Sequence, residues 1–161
     1  MTIAVHDEAG RVIESCTFMA GLALQPREIV LAKMVAALGA SLPGIPEAEV
    51  LQSVLERENV RPTGTTEGVA FPHGKHADID GVYTVVATIR GEEGIDFGSC
   101  KPLRCRIIVL TVSSSYRADG HLQFLAYMAR CLRHPTIRAS VISAQNKAAF
   151  LDALHAGCHG P

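Results

Sequence analysis

Several familiar signals are missing from this 161-residue chain, and each absence removes a class of function. No apolar run approaches the roughly 18 residues that a membrane-spanning helix needs, so direct membrane insertion is not expected. Neither sign of charge dominates. Fifteen Lys+Arg stand against sixteen Asp+Glu, the net charge is −1, and no basic run offers a local patch to nucleic acid. The five cysteines (Cys16, Cys100, Cys105, Cys131, Cys158) are odd in number and include no C-x-x-C pair. They therefore indicate neither a disulfide framework nor a zinc knuckle, and buried free thiols are the expectation. No G-x-x-x-x-G-K-[ST] loop and no G-x-G-x-x-G after a strand suggests a nucleotide, so no cofactor and no metal is called for. Repeats and low-complexity tracts are absent as well. The start, Met1 to Arg11, is acidic and broken, unlike a signal peptide, which makes the cytoplasm the expected compartment.

What remains is an ordinary globular composition, 48% hydrophobic and 19% charged, long enough for one domain with a real core. Val12 to Leu24 mixes β-formers with small residues and predicts one or two short strands, with Phe18 and Leu22 facing inward. Arg27 to Leu38 follows Pro26 with helical spacing of Ile29, Val30, Met34, Ala37 and Leu38, and Gly39 is read as its stop. Pro46 opens a second helix, acidic in its first turn, with Val50, Leu51, Val54 and Leu55 as its buried stripe and Arg57 in its last turn. Val82 to Arg90 predicts a central strand and Arg104 to Val112 the strongest one. Asp119 is a good N-cap for a helix carrying Leu122, Leu125, Ala126, Ala129 and Leu132. Pro135 breaks that helix and starts another over Thr136 to Ile142, and Asn146 caps a last one, Lys147 to His155. Interleaved strands and helices indicate an α/β layer architecture, without fixing strand order or direction.

One stretch stands apart: Thr63 to His76, T-G-T-T-E-G-V-A-F-P-H-G-K-H. Val69-Ala70-Phe71 reads as a brief buried strand bounded by glycine and proline. Pro72 cannot donate to a ladder, so the strand is expected to end where His73 begins, with Gly74 letting the backbone turn away from the imidazole. By itself, Pro-His-Gly reads more simply as a turn histidine with no role. Arg57, Thr63-Gly64, Gly68, Pro72-His73-Gly74 and Gly120-His121 together, however, resemble the enzyme IIA domain of the fructose, mannitol and nitrogen-regulatory type. These domains are phosphocarriers of the bacterial phosphoenolpyruvate-dependent sugar phosphotransferase system. The resemblance spans roughly residues 20 to 155 and implies a mixed β-sheet with helices packed on both faces. On that basis residues 1–20 are an N-terminal extension with the first strand, 21–157 the domain and 158–161 a tail.

The resemblance implies that His73 is the phosphoryl acceptor, with His121 and Arg57 as its assistants. An imidazole is largely unprotonated near neutral pH, so it is a nucleophile without a separate base. Phosphoryl transfer then asks chiefly for positioning and for compensation of anionic charge. Arg57 is always charged and offers a fork of N–H groups. Thr63, with the backbone amides around Gly64 and Thr65, is a candidate anion cradle. His121, in the first turn of its helix, lies near amides not used internally. Asn59-Val60-Arg61-Pro62 and Thr65-Thr66 depart from the family's usual segment, and Pro62 removes one donor.

Partners follow from the same resemblance: a phosphohistidine carrier protein as donor and a IIB domain as receiver. A regulatory module, whose phosphorylation controls binding to a target protein, is the alternative, and the absence of fused transport segments leans towards it. A metal-dependent hydrolase built on His73, His76 and His121, with Asp78 and Asp80 as oxygen ligands, is the remote reading, because H-G-K-H matches no zinc spacing with a mechanism. A shallow pocket rimmed by Phe71 and Leu122 is also expected.

Overall fold

Eight consecutive residues, Ile107–Ser114, are buried on both faces, and this strand (β7) is the axis of the structure. The computed structural model describes residues 8–116 and 119–158. On one side β7 pairs antiparallel with β4 (Val82–Ile89), which in turn pairs parallel with β1 (Thr17–Leu22). On its other side it pairs parallel with two short strands in series, β2 (Val69–Ala70) and β3 (His73–His76). The sheet is therefore mixed, five-stranded, in the order β1-β4-β7-β2, with β3 continuing the β2 edge. A separate ribbon joins β5 (Ile95–Asp96) to β6 (Arg104–Cys105).

Alternation along β7 assigns its side chains to two cores. Ile108, Leu110 and Val112 join Val85, Ala87 and Ile89 of β4 under α2 (Arg27–Ser41) and α3 (Glu47–Val60). Ile107 and Val109, with Val86, face the second layer. It contains α1 (Glu8–Glu14), α4 (Asp119–Leu132), α5 (Pro135–Ser143) and α6 (Lys147–Cys158). Phe124, Met128, Phe150 and Leu154 fill that layer, and Phe18 stacks on Phe150 at 4.7 Å. Helices thus cover both faces, as the resemblance implied.

Several local readings need correction. Val12 and Ile13 lie in α1, not in a strand; their apolar side chains face α4 and the sheet rather than a ladder. Gly39 does not end α2, which runs on to Ser41. Its neighbour there is the carboxylate end of the exposed Glu47 side chain, which lies against Gly39. The strand predicted over Arg104 to Val112 is two strands in different sheets, divided at Arg106. Asn146 does cap α6: its Oδ1 accepts the Ala149 amide at 2.9 Å. The boundary drawn at 20/21 falls inside β1. Met1 to Asp7, Arg117, Ala118 and the tail 159–161 lie outside the described residues, as does the capping side chain of Asp119.

Candidate functional site

The largest surprise is at His73. His73–His76 is not a turn but strand β3, and His73 stands opposite Thr111 of β7. Gly74 is buried, and its role differs from the expected one: it turns nothing. A Cβ there would lie 2.8 Å from Val54 Cγ2 and 3.1 Å from the Val54 amide nitrogen, so glycine lets α3 press against the strand. The Lys75 amide then donates to Ser53 Oγ at 3.0 Å, and His76 Nε2 meets Glu49 Oε2 at 2.6 Å. β3 is thus fastened along its length to α3, which is why four polar and small residues form a strand there.

His73 is half-buried, and its Nδ1 lies 3.1 Å from the Phe71 carbonyl oxygen. A carbonyl only accepts, so Nδ1 carries the proton and Nε2 keeps its lone pair. The tautomer is set by the residue just before Pro72. Thr111 points to the face on which α4 packs, and His73, its register partner, points the same way. His121 arrives there from the first turn of α4. The two imidazoles meet edge to face, with centroids 5.1 Å apart and planes at 62°. His121 is 5% exposed. Burial, reinforced by the nearby His73 and Lys75 charges, pushes its pKa down from 6.5 to about 4. It is therefore a neutral imidazole near pH 7, and its Nδ1 is buried without a hydrogen-bond partner among the described residues.

The expected cradle is held rather than holding. The Thr63 amide and hydroxyl both donate to Glu58, at 2.8 Å each, the Gly64 amide donates to the Phe97 carbonyl at 3.0 Å, and the Thr65 amide to the Val69 carbonyl at 3.0 Å. These three amides are committed within the protein, so they do not form the anion cradle in the form expected. Gly68, at φ +81°, closes the turn by donating to the Thr65 carbonyl. Arg57 lies in the last turn of α3, half-buried, and its Nη1 donates to the Arg61 carbonyl at 2.7 Å. That bond satisfies the end of its own helix and is not directed at either histidine.

Glu58 escaped the sequence reading. It is 1% exposed, the most buried carboxylate among the described residues, and serves both donors of Thr63. Its signal was spacing: Val50, Val54 and Glu58 are four apart, so a glutamate falls in phase with the buried stripe. His76 does not join the other histidines. Its Nδ1 accepts the Asp78 amide while Nε2 faces Glu49, and no cluster of three His, Cys, Asp or Glu that could hold a metal exists among the described residues. Of the expected rim, Leu122 is exposed and Phe71 half-buried. Cys16, Cys105 and Cys131 are buried, and desolvation pushes the Cys16 and Cys105 thiols up to about 11, as structural rather than reactive cysteines.

The family described as the phosphoenolpyruvate-dependent sugar phosphotransferase system, EIIA 2, matches residues 14–156. The chain belongs to that family. Among its relatives, a fructose-specific EIIA component from Haloferax volcanii is 30% identical over 104 residues, 65% of this chain and 66% of that protein. A nitrogen regulatory protein from Bradyrhizobium diazoefficiens is 29% identical over 120 residues, 74% of this chain and 77% of that protein. By contrast, this EIIA chain spans only 16% of the fructose-specific EIIABC component of Bacillus subtilis. Among solved structures, the nitrogen regulatory protein IIA-Ntr of Neisseria meningitidis has a TM-score of 0.80 at 18% identity, covering 92% of this chain and 99% of that one. The IIA mannitol domain in its complex with phosphorylated enzyme IIB, from Escherichia coli, has a TM-score of 0.67 at 20% identity, covering 87% and 94%. Both share the fold of this EIIA domain. No helix among its described residues is long and apolar enough to cross a membrane.

Proposed function

We propose that this EIIA domain is a phosphocarrier that accepts a phosphoryl group on Nε2 of His73 from a phosphohistidine carrier protein and passes it to a IIB partner. The observation that carries this reading is the 3.1 Å contact of His73 Nδ1 with the Phe71 carbonyl, which leaves Nε2 as the nucleophile beside His121. In the forward step the Nε2 lone pair forms a bond to phosphorus as the donor's P–N bond breaks. That electron pair returns to the donor's imidazole. The transition state is loose and anionic, so the protein contributes position and hydrogen-bond donors. His121 is held neutral and uses Nε2–H towards a phosphoryl oxygen. Arg57 would have to release the Arg61 carbonyl, or share its fork, to do the same. The Glu58 carboxylate, which accepts from the Thr63 amide and hydroxyl, braces the loop between Arg57 and His73. Passing the group on reverses the step, with a IIB nucleophile as acceptor; the complex of the Escherichia coli mannitol IIA with phosphorylated IIB supports this reading by analogy. The setting would be the cytoplasm, and no cofactor takes part.

The test is intact mass after incubation with phosphoenolpyruvate, enzyme I and a phosphohistidine carrier. An acid-labile gain of one phosphoryl group on His73 is expected, and its loss in His73→Ala with the fold retained. A His73→Ala protein that still gains the group would remove His73 from the role.

A regulatory reading is supported by one observation: compared by sequence, a nitrogen regulatory protein is matched over 77% of its length and a fructose-specific EIIA component over 66%. In that reading His73 is still phosphorylated, but the product is a change in affinity for a target protein. Comparing binding of the phosphorylated protein and of His73→Ala to such a target separates the two.

A further inference from the structure

Three buried side-chain atoms have no hydrogen-bond partner among the described residues, and two of them lie at this site: His121 Nδ1 and Ser113 Oγ. Buried polar atoms are nearly always paired, so each such orphan calls for an explanation. Their placement supplies one. Lys75 is in register with Ser113 as His73 is with Thr111, so the two pairs are two steps apart and share a face. That is the face of Ile107 and Val109, on which α4 packs with Phe124 and Met128. His121 touches the ring of His73, the register partner of Thr111, and feels the charge of Lys75, the register partner of Ser113, so Thr111 and Ser113 are the two β7 residues on this face beside its contacts. Of these two, Thr111 is already paired with Thr84 at 3.2 Å. Ser113 is 0% exposed, so bulk solvent does not serve it.

We propose that Ser113 is the positioning residue of His121: its hydroxyl donates to Nδ1, after rotation about χ1 or through one trapped water, and holds the ring proton on Nε2. The importance of that proton rests on the phosphocarrier reading; the tautomer itself does not. The two histidines are then set in opposite senses by what their Nδ1 atoms meet. His73 Nδ1 faces a carbonyl and must carry the proton, which leaves Nε2 a base. His121 Nδ1 faces a hydroxyl that can donate, which leaves Nε2–H a donor. One ring becomes the nucleophile and the other the hydrogen-bond donor to the group transferred.

The decisive measurement is the side-chain tautomer of each histidine in the unphosphorylated 15N-labelled protein, read from two-bond 1H–15N couplings. Expected are Nδ1–H at His73 and Nε2–H at His121, a mixed population at His121 in Ser113→Ala, and recovery in Ser113→Thr, which keeps a hydroxyl. Loss of one ordinary hydrogen bond shifts the tautomer ratio about tenfold. Phosphoryl transfer by Ser113→Ala should slow by a similar factor while the mass gain at His73 persists. Nδ1–H at His121 in the unmodified protein overturns the proposal, as does a tautomer unaltered in Ser113→Ala. If the tautomers are as expected and no phosphoryl group is taken up, the phosphocarrier reading fails and the role of Ser113 stands.

Discussion

Lowering the pH tests the burial of His121 directly. Its folded pKa is depressed from 6.5 to about 4, chiefly by desolvation, with His73 and Lys75 adding to it. Between those values the unfolded chain binds a proton that the folded chain does not. Stability from this group is therefore fully present above 6.5, declines as pH falls through the interval, and is gone below 4. The whole displacement is worth roughly 3 kcal/mol, of which about 2 kcal/mol is lost between pH 7 and 5. Other groups titrate in the same window, so the comparison must be with a protein lacking only this imidazole. His121→Phe keeps a buried ring and cannot take a proton; any cost of its larger size is independent of pH. Urea unfolding at closely spaced pH values should show the unmodified protein losing about 2 kcal/mol more than the variant over that interval. Parallel pH dependences would refute the reasoning, as would an NMR titration of His121 with a midpoint near 6.5.

The remaining expectations concern how the site is braced. Gly74→Ala places a methyl 2.8 Å from Val54 Cγ2 and 3.1 Å from the Val54 nitrogen, and should cost about 1 to 3 kcal/mol in urea unfolding. Adding Val54→Ala relieves only the side-chain part, so recovery should be incomplete. Glu58→Ala leaves both donors of Thr63 without an acceptor and should lose roughly 3 kcal/mol by the same assay, with Glu58→Gln milder. Asn146→Ala removes the cap of α6 and should lower stability by about 1 kcal/mol without altering phosphoryl uptake, measured by denaturation and intact mass together.

Periodicity made most of this architecture legible. The stripe of α3 and the continuous apolar runs of β4 and β7 state their own burial, and Asn146 announces a helix start. The stripe read for α4 is out of phase, since Leu122, Ala126 and Ala129 are exposed while Phe124, Met128 and Cys131 are buried, and Ile29 of α2 is exposed too. What was not legible depends on neighbours distant in the chain. Gly39 reads as a stop, yet the helical bonding continues past it to the Leu42 amide, which donates to the Leu38 carbonyl. H-G-K-H reads as a loop because its strand character comes from β7 on one side and from Ser53 and Val54 on the other. For the site, the pairing of His73 with His121 was carried by the family resemblance. The Phe71 carbonyl, by contrast, is a backbone atom and leaves no trace in side-chain pattern. The amides near Gly64 read as available donors, and they are taken up by Glu58, Phe97 and Val69, partners that only the folded chain brings within reach.

His73 begins the last strand at an open edge of the sheet, and that position carries a hazard. If the proposed phosphocarrier role holds, the domain presents this edge to successive proteins, and any such open edge is also a place where a foreign strand could add and start aggregation. Here the edge is short and interrupted at Pro72, which has no N–H to offer. The Lys75 amide is already occupied by Ser53 of α3, and the Lys75 side chain adds an exposed charge. The strand can therefore show its histidine to a visitor while refusing its backbone, which favours contacts that are brief and reversible over sheet extension.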